Sequence, residues 1–242
     1  MNTEKDFSLK SLNSFGVDAR ATRMCRLDSL EDVAQLETDS FEAGTDLVLG
    51  GGSNILFATD VPGTVYLNRI KGRKLIEDNS DSVLIEVAAG ENWHEFVLWT
   101  LDQGYYGLEN LSLIPGLAGA APMQNIGAYG VEISGRLESL SALDWRSGEI
   151  VQFSGSECNF SYRDSRFKSS DPGGHLILTC RLRLQKRDKP EISYAGLARE
   201  LSAMGVEKPG AKEVSQAVIR IRQRKLPDPD VIGNVDILGQ CG

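Results

Sequence analysis

Three stretches of this 242-residue chain hold residue types at spacings that could do chemistry. The first is Gly50-Gly51-Gly52-Ser53-Asn54, three glycines followed by two short polar side chains. Such a run can curl its N–H groups into one concavity, which suits a diphosphate, but it also suits a plain hairpin turn. The second, Ile114 to Gly130, reads IPGLAGAAPMQNIGAYG and carries no charge. Gly116, Gly119, Gly127 and Gly130 permit close backbone approach, while Pro115 and Pro122 fix the chain between them. It suits an elongated, partly apolar ligand bearing phosphates, and composition alone fits a buried turn between two layers equally well. The third, Tyr162-Arg163-Asp164-Ser165-Arg166-Phe167-Lys168, puts a guanidinium in a polar, aromatic loop.

Other chemistry is poorly supplied. The two histidines, His94 and His175, are far apart, and neither a G-x-S-x-G nor an H-E-x-x-H pattern occurs. Gly50–Asn54 is not a dinucleotide fingerprint, because Ile55 stands where a third glycine belongs, and no G-K-[ST] phosphate loop exists. The cysteines Cys25, Cys158, Cys180 and Cys241 are scattered without a C-x-x-C pair, so we expect free thiols, a reducing compartment and no metal site. Two glycine-rich loops, an arginine in a polar loop and a basic stretch downstream suit an enzyme whose hard chemistry a cofactor carries.

The elements that must position these stretches follow from pattern. Hydrophobic residues make up 41% and charged residues 25%, ordinary globular usage with no apolar run long enough for a membrane. The N-terminus lacks a secretory pattern, which points to the cytoplasm. We expect a strand within Ser14–Ala21, then a helix capped by Asp28 or Ser29 with Leu30, Val33, Ala34 and Leu36 on one face. A short buried strand, 46–49, leads into the glycines, and a strand should resume at Ile55-Leu56-Phe57. Further strands are expected near 64–68 and 82–89, then a helix from Asn92 through Leu101 that stops at Gly104, with Trp93 in the core and His94 on the surface. A hairpin turns around Arg146-Ser147-Gly148, residues 175–184 form a long strand, and helices follow near 195–204 and 211–224.

The net charge of −8 is unevenly placed: residues 181–225 hold 12 Lys/Arg against 5 Asp/Glu, the reverse of the balance before them. RLRLQKRDK (181–189) and IRIRQRK (219–225) read either as solvated faces or as a patch for an anionic small molecule. No aromatics interleave with these charges, which argues against nucleic acid.

Taken in order, Gly50–Leu56, Ile114–Gly130 and Tyr162–Lys168 resemble the UDP-N-acetylenolpyruvoylglucosamine reductase (MurB) family, and the likeness runs from the Ser14-Phe15-Gly16 region to Asn234. Ser193-Tyr194 and Lys225-Leu226-Pro227-Asp228-Pro229 are similar to its longer, type I branch. The resemblance implies an α+β, two-subdomain FAD-binding fold of the vanillyl-alcohol-oxidase (PCMH) type, spanning about residues 17–187. The subdomains would be 1–70 and 71–226, with 227–242 a remnant of a largely missing substrate domain. It implies FAD contacts from Gly50, Gly51, Gly52, Ser53, Asn54, Pro115, Gly116, Gly119, Gln124, Asn125, Gly127, Ala128 and Tyr129. Arg163 matches the catalytic arginine, and Tyr194 and Lys225 match positions that hold the substrate's diphosphate. The implied reaction moves hydride from NADPH through the flavin to an enolpyruvyl ether on a UDP-sugar, making UDP-N-acetylmuramate for peptidoglycan. Family members are usually monomeric.

The likeness stops after Asn234. Family chains continue with G-S-F-F-K-N-P, whose serine donates the proton, and later supply a glutamate, whereas this chain reads Val235-Asp236-Ile237-Leu238-Gly239-Gln240-Cys241-Gly242. From sequence we expect a frame change or truncation, and little turnover even if flavin binds. Two alternatives stand beside this reading: another flavin oxidase of the same fold, and a flavin-binding remnant without a reaction.

Overall fold

The computed structural model describes residues 2–226, so the expected remnant at 227–242, with Cys241, lies outside the described residues. Two sheets carry the chain. The first orders its strands β1-β2-β4-β3: β1 (Asn2–Ser8) runs antiparallel to β2 (Arg20–Leu27), and β2 and β3 (Leu47–Leu49) both run parallel to β4 (Val61–Asn68). The second is wholly antiparallel, ordered β10-β9-β11-β6-β5. Its strands are β5 (Arg73–Asp78), β6 (Ser82–Ala88), β9 (Leu137–Asp144), β10 (Ile150–Ser154) and β11 (His175–Gln185). A two-stranded ribbon, β7 (Gly127–Ala128) and β8 (Val131–Glu132), ends the glycine-rich stretch.

The sheets face each other across a core. Cys25, Leu27 and Tyr66 from the first meet Leu143, Trp145, Leu176 and Leu178 from the second, and Phe41 stacks on Trp145 with ring centroids 4.2 Å apart. The far face of the second sheet packs on α2 (Trp93–Asp102), whose Trp93, Phe96, Val97 and Leu101 are buried as helical spacing requires. β11 serves both cores, with Leu176 and Leu178 reaching the first and Cys180, Leu182 and Leu184 the second. A register irregularity between Ile177 and Thr179 falls where the side changes. β6 is apolar almost throughout because both its faces are covered.

The short α1 (Leu30–Val33) starts with a capping box between Ser29 and Asp32, and Asn92 caps α2 by accepting from the Glu95 amide at 3.0 Å. α3 (Ala195–Ala203) and α4 (Ala211–Lys225) share their own core of Leu197, Leu201, Val214, Ala217, Val218 and Ile221, against which Tyr129 packs. A 2.7 Å Ser112–Ser215 hydroxyl bond ties α4 to the turn before the glycine-rich stretch.

Several expectations change. The strand expected within Ser14–Ala21 begins only at Arg20, because Asn13 closes a turn there, donating to the Leu9 and Val17 carbonyls. No strand resumes at Ile55–Phe57: Phe57 is buried and Ile55 packs on the core, yet the backbone joins no ladder. Leu47 and Val48 are half-buried, not buried, since they border a cavity. The edge strands β1 and β5 were not expected, and Arg166–Ser170 forms a π-helical turn inside the expected loop. The basic run does not form one open patch. Arg181 pairs with Glu86, Arg183 with Glu77 and Glu138, Lys186 with Asp78, Lys212 with Asp102 and Arg224 with Glu200.

Candidate cofactor and active site

The two glycine-rich stretches lie against each other. A Cβ on Gly51 would stand 3.0 Å from the Gly116 Cα, and one on Gly116 would stand 3.1 Å from the Ser53 hydroxyl. Asn54 donates to the Gln124 side chain at 2.9 Å, joining the stretches a second time. The second stretch is also fixed from beneath: Ala118 donates to the Glu91 carbonyl, Gly119 to the Ala89 carbonyl, and Trp93 to the Gly116 carbonyl. Gly119 is required there, because a Cβ would sit 2.4 Å from that of Ala89.

Among the described residues, the amides of Gly51, Gly52, Ser53 and Asn54 donate to no protein acceptor. Four successive unused N–H groups, one of them on the buried Gly52, are a cradle for an anion. A cofactor diphosphate supplies acceptors that fit this donor set.

Three cavities follow the two stretches. The largest, about 780 Å³, opens between the sheets beside Gly50, Gly119 and Ala120, with Val48, Phe167 and His175 on its walls. A narrow one of about 150 Å³ touches Ser53, Asn54, Pro115 and Gln124. The third, about 610 Å³, is bordered by Gly127, Ala128, Tyr129, Glu132, Tyr162 and Arg163. Together they have the size and mixed polarity of a cofactor groove.

At the third cavity Arg163 holds left-handed backbone, φ +54°, and its guanidinium donates to the Gly127 carbonyl at 2.6 Å. Gly127 is needed for this approach, since a Cβ would come within 3.1 Å of the Arg163 Nη1. Lys168 braces the loop by donating to the Arg163 carbonyl at 2.8 Å, and the guanidinium lies beside the exposed Tyr162 ring. Arg163 itself is exposed, leaving donors for an incoming anion.

The remaining expected positions divide. Asn125 is buried and fully engaged, donating to Glu132 and to the Ser161 carbonyl and accepting from the Ser134 amide, so its side chain braces the loop. Gly52 faces inward, where a Cβ would lie 1.8 Å from the Leu12 carbonyl oxygen. Tyr194 precedes α3 and meets Tyr129 edge-on at 5.4 Å, which brings it to the rim of the third cavity. Lys225 is exposed at the end of α4 and borders none of these cavities.

Sequence reasoning missed three side chains. His94, expected on the surface, is half-buried and accepts the Leu113 amide on Nδ1 at 3.0 Å, while burial holds its pKa below the usual histidine value. Arg222 of α4 donates to the Leu113 carbonyl at 3.0 Å, and burial lowers its pKa too. His175 stands 3.2 Å from Asp171 on the wall of the largest cavity. No signal marked His94 or Arg222, because both act on backbone that is distant in sequence. Cys25, Cys158 and Cys180 are buried free thiols, and burial pushes Cys158 up to about 11, so none is poised as a nucleophile. Among the described residues no metal-ligand cluster occurs, and no helix is long and apolar enough to cross a membrane.

Comparison with known proteins agrees with the geometry. A family described as "FAD binding domain" matches residues 23–154. The crystal structure of MurB from Thermus caldophilus superposes with a TM-score of 0.64 at 21% identity, covering 92% of this chain and 95% of that one. A solvent-stable cholesterol oxidase reaches 0.52 at 16% identity over 77% of this chain and 38% of its own. These likenesses define the class, a two-subdomain FAD-binding fold of the vanillyl-alcohol-oxidase (PCMH) type. The reductases named UDP-N-acetylenolpyruvoylglucosamine reductase from Burkholderia mallei (strain NCTC 10229) and Azoarcus sp. (strain BH72) are 48% and 50% identical over 95% of this chain, which spans 67% of their length. The chain belongs to the UDP-N-acetylenolpyruvoylglucosamine reductase family.

Proposed function

We infer that this chain binds FAD along the three cavities and uses it to reduce UDP-N-acetylglucosamine enolpyruvate, with NADPH as hydride donor, in the cytoplasmic synthesis of a peptidoglycan precursor. The observation that carries this reading is the run of unused amides at Gly51–Asn54, set against Gly116 of the stretch whose far end, Gly127–Gly130, borders the cavity of Arg163. Bound FAD supplies the hydride relay. Ser53, Pro115 and Gln124 would border its phosphate region, and Gly127, Ala128 and Tyr129 the part nearest Arg163.

Hydride addition to the enolpyruvyl double bond builds negative charge on the carbon beside the carboxylate. The Arg163 guanidinium, oriented by the Gly127 carbonyl, offers fixed positive charge and paired donors to that state. Tyr194 and Lys225 would hold the substrate's diphosphate, as a small-molecule UDP-sugar requires. The closing proton needs a donor, and Val235-Asp236 offers no serine where the family pattern has one. We therefore read the 242-residue polypeptide as a monomeric flavoprotein able to accept hydride and slow to complete turnover. The division into subdomains 1–70 and 71–226 belongs to the same reading.

Mixing the purified chain with FAD should give a bound flavin spectrum that NADPH bleaches. Bleached protein mixed with the enolpyruvyl UDP-sugar should regain its colour slowly. Failure to bind added FAD would overturn the reading, and fast steady-state NADPH oxidation would overturn the part about the proton donor.

A further inference from the structure

Leu113, the residue just before Ile114–Gly130, holds left-handed backbone at φ +56°, and Tyr129 near the other end does so at φ +49°. Neither side chain favours this region, and each such residue costs energy unless its surroundings over-determine it. At Leu113 they do: its amide donates to His94 Nδ1 and its carbonyl accepts from Arg222 Nε, both at 3.0 Å. At Tyr129 the carbonyl accepts from the buried Asn110 side chain at 2.9 Å, the ring packs on the core shared by α3 and α4, and the phenol lies near enough to feel the Arg222 charge. Arg222 is half-buried and pairs with no carboxylate among the described residues. A guanidinium that gives up part of its hydration without a counter-ion needs another acceptor, and the Leu113 carbonyl supplies it.

We propose that Arg222 and His94 are positioning residues: by holding the Leu113 carbonyl and amide at the entry to Ile114–Gly130, with the guanidinium also beside the Tyr129 end, they set the backbone that receives the cofactor. This rests on the reading of that stretch as the FAD loop. The arrangement also gives α4 a part in the site. Arg222 lies one turn before Lys225, so the helix that would present Lys225 to a substrate diphosphate is the helix that fixes the loop. A pull on the end of α4 is therefore felt at Leu113 and Tyr129.

The groups bearing on the Tyr129 phenol are Arg222 and Tyr194. Burial and Tyr194 raise its pKa, while the Arg222 charge lowers it. Removing the charge should raise it further. His94 feels Arg222 and Glu95, and as an acceptor its Nδ1 must stay unprotonated.

The test uses the full chain as wild type, Arg222→Lys, Arg222→Met, His94→Asn and His94→Phe, with Tyr129→Phe as a reference. Arg222→Met should weaken FAD binding, followed by flavin fluorescence quenching, by about tenfold or more, with partial rescue by Arg222→Lys. His94→Asn, which keeps an acceptor, should bind more tightly than His94→Phe. Independently of flavin, ultraviolet difference titration should show the Tyr129 phenol, assigned by its loss in Tyr129→Phe, ionising at higher pH in Arg222→Met. Should FAD bind no variant and not the wild type, the FAD reading fails while the phenol titration still decides the clamp. Affinity within twofold of wild type for Arg222→Met, or an unmoved Tyr129 titration, would overturn the proposal.

Discussion

The Ile114–Gly130 stretch and the Arg163 loop border the same groove but are built by opposite means. The first is walled closely: a Cβ on Gly119 would collide with Ala89, the Gly116 backbone lies where a Cβ on Gly51 would stand, and Asn125 fills its space with three hydrogen bonds. The second is exposed, and its working group is held by one bond to the Gly127 carbonyl and a ring beside it. A cofactor that stays bound is served by a surface fixed in advance, since rigidity there lowers the ordering cost of binding. A group that meets a transient anion needs open donors instead. The contrast predicts that substitutions in the first region will act on folding and cofactor affinity together, and those in the second on reaction alone.

The largest effect should come from Gly52→Ala, in the glycine run that packs against Ile114–Gly130 and completes its wall at Gly51–Gly116. The Gly52 backbone is left-handed at φ +63°, and the new methyl would overlap the Leu12 carbonyl, 1.8 Å away, in a turn of backbone that cannot swing aside. We expect a loss above about 3 kcal/mol in denaturant unfolding together with loss of FAD binding. Gly205→Ala is the matched control. Gly205 is also left-handed, φ +72°, but nothing lies within 4 Å and it borders none of the three cavities, so only backbone strain of about 1 kcal/mol should appear and FAD binding should persist. Equal losses at both would show that steric walling does not distinguish the loop.

What was legible in the sequence follows the same division. The apolar stripe of α2, the caps at Ser29 and Asn92 and the nearly all-apolar β6 are local patterns, and each appears where it was expected. The edge strands left little trace: β1 reads NTEKDFS and pairs along one side only, with Glu4 opposite Met24 and its carboxylate reaching Arg26, so no alternation marks it. Phe57 shows the converse, an apolar residue buried without a ladder, while its neighbour Leu56 is exposed. In the site, Gly50–Asn54, Ile114–Gly130 and Arg163 stood out by the order of their residues and the family resemblance that order carries, not by composition. Asn125 as a brace, His94 as an acceptor and Arg222 as a clamp depend on which backbone atoms the fold brings near, and no spacing encodes that.

Arg163→Met should reverse the Gly52 pattern. The side chain is exposed and carries no ion pair among the described residues, so unfolding free energy should stay within about 0.5 kcal/mol of wild type and FAD affinity within about twofold. The substrate-dependent step should slow by about 10²–10³, the usual cost of losing a preorganised donor to developing negative charge. Stopped-flow mixing of the reduced protein with the enolpyruvyl UDP-sugar reads that step directly. An unaltered rate would remove Arg163 from the reaction, and a large fall in stability would show that its loop is as walled as its neighbour.

The smallest effect sharpens the comparison from outside the groove. Glu91 supports the walled region with its carbonyl, which accepts Ala118, while its buried carboxylate meets Arg73 at 2.7 Å and the Gly72 amide at 2.9 Å. Burial works to raise its pKa, but the Arg73 bond and the Gly72 amide outweigh it and hold the carboxyl below its unperturbed 4.5. A carboxylate depressed in the folded state stabilises the protein above the unfolded value, and that stability is lost as pH falls through the folded one. Wild type should therefore lose stability below about pH 4.5 more steeply than Glu91→Gln. At pH 7 the variant should be weaker by about 1–2 kcal/mol, since it keeps the shape but loses the charge-assisted bonds to Arg73. If FAD affinity at pH 7 also falls, the support of the loop extends through Glu91 to the β6–α2 junction. If stability falls alone, the walls that matter to the cofactor end at Ala89 and Gly116.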